Sequence, residues 1–186
     1  MSKQTLHDQI RQGIKPEGMS FMLFDYAGLA NELDEILKAL TRNECAKRCG
    51  DSIGCCVAGA YKTGGATKEM LQYQEQEGNG QRDVDGKCQY HAEGSGCTLV
   101  SLFRPPKCLT TLCGKKGGLK DYLVATYGRE GQKFVEAMAE ATDSCASMIN
   151  GDKGETLFLA MEEAIAAGRR ITEKEKVGVK INQGVR

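Results

Sequence analysis

Nine cysteines fall in a chain of 186 residues, and eight of them lie between positions 45 and 113. They open with Cys45-Ala-Lys-Arg-Cys49-Gly-Asp-Ser-Ile-Gly-Cys55-Cys56 and continue with Cys88, Cys97, Cys108 and Cys113, while Cys145 stands alone in the C-terminal third. A thiol buried only for packing needs no companions, so this density asks for another explanation. Clustered thiols are soft ligands for zinc or an iron–sulfur cluster where the compartment is reducing, and form disulfides where it is oxidising. The N-terminal stretch Met1-Ser-Lys-Gln-Thr-Leu-His-Asp-Gln has no apolar core of the kind a secretory signal carries. With an odd cysteine count as well, the expectation is a cytoplasmic protein whose thiols are held reduced and available to metal.

Charge narrows the partners. Lys+Arg and Asp+Glu balance at 25 each, so no net field draws the chain to nucleic acid or to an anionic membrane. No apolar run approaches the roughly 18 residues a membrane helix needs. Neither class of partner is expected, and a protein partner is left open. The apolar fraction of 40% permits a core, although it contains no Trp and part of it is cysteine. Metal ligation is therefore expected to supply some of the folding free energy.

Periodicity predicts helices on either side of the cysteine-rich stretch. Residues 1–24 read as a loosely structured lead-in. From Tyr26 to about Lys47, Leu29, Leu33, Ile36, Leu37 and Leu40 recur as one stripe of a 3.6-residue period. Thr67 caps a second helix that ends at Gly78. A polar, Gly-rich loop follows, then an irregular segment with room for a short hairpin around Lys87–Leu102. After Gly117-Gly118, Phe134, Met138, Ala141, Cys145 and Met148 mark an amphipathic helix closed by Asn150-Gly151. A last helix runs from about Glu155 to Ala167, and the charged tail from Arg169 reads as partly flexible. The fold expected is mainly α, in one domain over 1–186. Its helices pack around an irregular cysteine-rich metal-binding module at 45–113 with little or no β structure, and residues 117–168 form the C-terminal helical part.

The chemistry concentrates in that module. Thiolate is the ligating form of cysteine, and neighbouring positive charge favours it. Lys47 and Arg48 lie between Cys45 and Cys49, Lys87 precedes Cys88, and Lys107 precedes Cys108. In an extended segment the adjacent Cys55 and Cys56 point to opposite faces. Either each joins a different site, or one ligates and the other is buried as a small hydrophobe. Eight thiols suffice for two four-cysteine zinc sites, or for one four-iron cluster with several thiols left over. The short spacings of zinc ribbons and bacterial ferredoxins are absent, and so is the three-cysteine signature of radical S-adenosylmethionine enzymes. His91, three residues after Cys88, is a reserve nitrogen ligand. Cys145, on the Phe134–Met148 stripe, is expected in the core. Arg104, stiffened by Pro105-Pro106, is placed to direct its guanidinium at the thiolate-rich centre as a cofactor-binding residue, or else to be solvated on a rigid turn.

The cluster closing in Cys55-Cys56, the later Cys88, and the elements Gly96-Cys97 and Arg104-Pro105-Pro106-Lys107-Cys108 together resemble the YkgJ-type cysteine-cluster family, a zinc- or iron-chelating domain. The resemblance covers about residues 45–113. It implies metal or cluster binding and says little about a substrate. The ligand candidates are Cys45, Cys49, Cys56, Cys97, Cys108 and Cys113, followed by Cys55 and Cys88.

The function expected is metal binding, with an iron–sulfur cluster (4Fe–4S among the options) or zinc held by the cysteines, serving electron transfer or redox sensing. Metal storage or delivery ranks second. A cluster- or zinc-dependent enzyme ranks third, because no acid, base or nucleophile constellation accompanies the thiols.

Overall fold

The first helix begins earlier in the chain than periodicity suggests. The computed structural model describes residues 5–41, 44, 65–77, 91–92, 96–97, 101–112, 114, 116–145 and 154–183; for 75–77, 91–92, 96–97 and 176–183 the description covers the backbone alone. Helix α1, Leu6–Arg11, is capped by Thr5, whose hydroxyl accepts from the Asp8 amide at 3.2 Å. The expected loose lead-in is thus corrected at Leu6–Arg11 and at 21–24, which are helical, while 12–20 hold turns and no regular element. A six-residue helix carries too little periodicity to register in sequence, yet it buries Ile10 against the next helix.

Helix α2, Phe21–Thr41, starts five residues before the expected Tyr26. Its start is fixed by Ser20, whose hydroxyl accepts from the Leu23 amide at 3.2 Å. The Ser20 amide in turn donates to Glu69 at 2.8 Å. This is the logic of a capping box, with the carboxylate supplied by a distant helix rather than three residues downstream. Leu23, Tyr26, Ala27, Ala30, Leu33, Ile36 and Leu40 are buried, and Leu29 and Leu37 are partly buried. The expected stripe therefore faces the core, extended toward the N-terminus. Residues 42–43 and 45–47, which complete the expected helix, lie outside the described residues.

Helix α3, Lys68–Glu77, begins as predicted. Thr67 accepts from the Met70 amide at 3.1 Å, and Met70 and Gln74 face inward. Two short strands, β1 at His91–Ala92 and β2 at Gly96–Cys97, pair antiparallel with His91 opposite Cys97. They fall within the hairpin expected at 87–102. A buried 3-10 turn, Ser101–Phe103, leads into helix α4, Pro106–Thr110, with Pro106 at the position where a missing N–H costs nothing.

Helix α5, Leu119–Asp143, is two arms joined at Gly128. There φ is 56° and ψ −131°, a conformation that only glycine adopts without strain. The chain leaves α5 through Ser144, so Cys145 sits just past the end of α5 rather than inside it. Met148, Asn150 and Gly151 lie outside the described residues.

Helix α6, Glu155–Gln183, corrects the expected flexible tail. Beyond Ala167 it buries Ile171. Arg169 pairs with Glu32, while Arg170 and Lys174 reach Glu130 at 3.6 and 3.1 Å. Along α6, Leu157, Met161, Ala164 and Ile165 are buried as expected, facing Phe134, Met138 and Ala141 of α5 and the stripe of α2. The protein is mainly helical, and its helices pack on one another. Among the described residues, no helix is long and apolar enough to cross a membrane.

Candidate metal centre

The Arg104-Pro105-Pro106-Lys107-Cys108 segment is gripped by side chains from two helices. Two prolines in a row offer no amide hydrogens, so besides the Arg104 amide, which donates to the Ser101 carbonyl at 3.2 Å, the carbonyls and flanking side chains take the contacts here. The Gln74 amide of α3 donates to the Phe103 carbonyl, and the Tyr26 phenol of α2 donates to the Arg104 carbonyl. Tyr73 stacks on Phe103 with ring centroids 5.0 Å apart and planes inclined by 10°. The Arg104 guanidinium lies 3.0 Å from Asp34, whose second oxygen lies 2.6 Å from Lys38. The structure thus places Arg104 on a buried carboxylate, a partner that the sequence expectation of a thiolate contact or a solvated arginine did not include.

The segment then becomes α4, where the Leu109 amide donates to the Pro105 carbonyl at 3.1 Å. Cys108 is half-buried on this helix. Thr110, fully buried, donates to the Pro106 carbonyl at 2.9 Å and lies 3.1 Å from the Thr142 hydroxyl. The Thr110 hydroxyl is also 3.8 Å from the Cys145 sulfur.

Cys145 behaves as a core thiol, in line with the sequence reading. Its S–H donates to the Ala141 carbonyl at 3.2 Å. Burial pushes it up to about 11, with the Thr110 contact and Lys107 opposing the rise. A thiol kept protonated is a poor metal ligand. Burial also pushes the Tyr26 phenol well above its ordinary range. The Cys145 and Cys108 thiols add to that rise and Arg104 opposes it, so these groups share one electrostatic neighbourhood.

Gly65, the first described residue after the stretch that carries Cys45, Cys49, Cys55 and Cys56, meets the same point. A Cβ added there would lie 2.7 Å from the Cys145 carbonyl oxygen. Gly65 and Thr110, the latter lying between Cys108 and Cys113, therefore both pack against Cys145. Of the eight ligand candidates, Cys97 lies on β2 and Cys108 on α4. Cys45, Cys49, Cys55, Cys56, Cys88 and Cys113 lie outside the described residues. The reserve ligand His91 is the register partner of Cys97, which sets their Cα atoms about 4.5–5.5 Å apart. Among the described residues, no three His, Cys, Asp or Glu side chains come together as a metal site. The donor chemistry at these positions, thiol with imidazole in reserve, suits zinc or iron rather than a hard cation.

Sequence reading missed Tyr26, Asp34, Gln74 and Thr110. Asp34 did leave a trace: it follows Leu33 on the buried side of α2 and is 4% exposed. An acidic residue at such a position needs a cation, and nothing in the sequence said which. Compared with protein-family models, with curated proteins and with solved structures, the chain has no match in any of the three.

Proposed function

We propose that this chain is a cytoplasmic metal-binding protein. Cys45, Cys49, Cys56, Cys97, Cys108 and Cys113, with Cys55 and Cys88 behind them, hold an iron–sulfur cluster or zinc, and His91 stands in reserve. The observation that carries the reading is the crowding of eight thiols into residues 45–113. Its support in the fold is that Gly65, which follows the stretch carrying Cys55 and Cys56, and Thr110, which lies between Cys108 and Cys113, share a contact at Cys145. The resemblance to the YkgJ-type family points the same way and rests on the cysteine and Arg-Pro motifs alone. A bound cluster would supply one-electron chemistry for transfer or sensing. Closed four-cysteine zinc sites would make the metal structural.

A second reading, metal storage or delivery, draws on the surplus of thiols over one four-ligand site. Metal stoichiometry separates the two.

The test is anaerobic purification of the full chain, followed by its ultraviolet–visible spectrum and its iron, zinc and acid-labile sulfide content. Matched iron and sulfide with a brown colour would support a cluster, and stoichiometric zinc in a colourless protein would support structural sites. More metal per chain than two four-thiol sites accommodate would favour storage. Protein without any metal overturns the reading.

A further inference from the structure

The two ends of helix α5 line the same cavity. Lys120 lies in its first turn and Asp143 is its last residue. In a straight helix, at about 1.5 Å per residue, they would be about 35 Å apart. The corner at Gly128 folds the arms back on each other, so closely that a Cβ on Gly131 would strike the Leu123 carbonyl. Lys120 and Asp143 therefore meet a common cavity of about 110 Å3, with Thr111 and Leu112 just past α4 and Ala139 in its wall.

Both charges run against the field of their own helix. A helix N-terminus favours an anion and a C-terminus a cation, and α5 has the reverse, with Lys120 at one end and Asp143 at the other. Nor do they neutralise each other: among the described residues neither belongs to an ion pair. The cavity is thus left with a positive wall and a negative wall. Thr111 adds hydrogen-bonding capacity that the fold does not use. Its hydroxyl oxygen is buried and has no partner among the described residues, a condition that costs stability until something meets it.

Size limits what fits. The volume is well above the ~10–15 Å3 that admits a single water and well below the ~300–1,000 Å3 of pockets that take drug-sized ligands. A small molecule carrying both charges matches the two walls.

We propose that this cavity binds a small zwitterion, an α-amino acid of the size of glycine, alanine or serine. Its carboxylate meets the Lys120 ammonium and accepts from the Thr111 hydroxyl, its ammonium meets the Asp143 carboxylate, and Leu112 and Ala139 flank its side chain. The inference is independent of the metal-binding reading.

The experiment is isothermal titration calorimetry of the full-length protein with glycine, L-alanine and L-serine, and with acetate and methylammonium, which carry one charge each. At least one of the amino acids is expected to bind with a Kd of about 1 mM or tighter, and the singly charged compounds at least about tenfold more weakly, as the loss of one charge-assisted hydrogen bond implies. Lys120→Met and Asp143→Asn each weaken amino-acid binding by about tenfold or more. Thermal midpoints check that both variants are folded, and the selectivity of wild type decides the matter where one is not. If none of the three amino acids binds at that strength, if acetate or methylammonium binds as tightly as they do, or if either folded variant binds as wild type does, the inference is overturned and the metal reading is untouched.

Discussion

The Cys145 carbonyl closes on Gly65 so tightly that a Cβ on the glycine would sit 2.7 Å from the oxygen, and Gly65 itself has φ +86°. Both facts exclude a side chain there. Gly65→Ala is expected to cost about 1–3 kcal/mol from backbone strain alone, lowering the midpoint by about 2–4 °C for each kcal/mol in a chain of this size. Thermal unfolding of the purified variant checks this, and an unchanged midpoint would contradict the close approach.

Cys145 gives stability a dependence on alkaline pH. Its folded value, about 11, lies above the ordinary 9.0. Below pH 9.0 both folded and unfolded chains keep the proton. Between 9.0 and about 11 the unfolded chain ionises first, so stability is lost as pH rises through that window. The urea midpoint of wild type should therefore fall more steeply across this window than that of Cys145→Ala. Parallel pH profiles would show that the thiol is not buried as described.

The Asp34–Arg104 pair is almost dry, with side chains 6 and 13% exposed. Asp34→Ala leaves the guanidinium in that environment without its carboxylate, an expected cost of about 3–5 kcal/mol. The double variant Asp34→Ala/Arg104→Met should recover much of the loss, because it removes the charge together with its partner. Denaturant titrations of the single and double variants decide the matter; additive losses would argue against a coupled buried pair.

A chain ended after Gly168 should be measurably less stable than the full protein. The expected loss is about 1.5–3 kcal/mol from the Ile171 side chain, with little from the exposed Arg170 and Lys174 contacts to Glu130. Comparing the truncation with Ile171→Ala separates the two contributions.

The long apolar stripes were legible because burial imposes a period on them: Leu33, Ile36 and Leu40 in α2, Phe134, Met138 and Ala141 in α5, Leu157 and Met161 in α6. The Thr67 cap was legible for the same local reason, a hydroxyl three residues ahead of the amide it satisfies. What escaped was non-local. The continuation of α6 past Ala167 buries Ile171 in a core that other helices supply, and its Arg169, Arg170 and Lys174 reach Glu32 and Glu130 on those helices. The corner at Gly128 interrupts an otherwise continuous helical pattern, and one glycine among 23 does not announce its dihedral angles. Tyr26 and Arg104 are 78 positions apart, so no spacing rule links them. The thiols themselves were conspicuous, and their type and density carry the expectation of metal binding without saying how they are arranged. Which thiols share a site depends on three-dimensional spacing that residue order does not encode.

The place of α6 in the chain bears on how the protein is made. Its buried face, from Leu157 to Ile171, closes the core over α2 and α5, and it is synthesised after all eight clustered thiols. At roughly 5–20 residues per second, those thiols spend some seconds outside the ribosome before the bundle can close. The order of translation thus leaves the cysteines accessible to solutes, oxidants among them, before the folded frame exists.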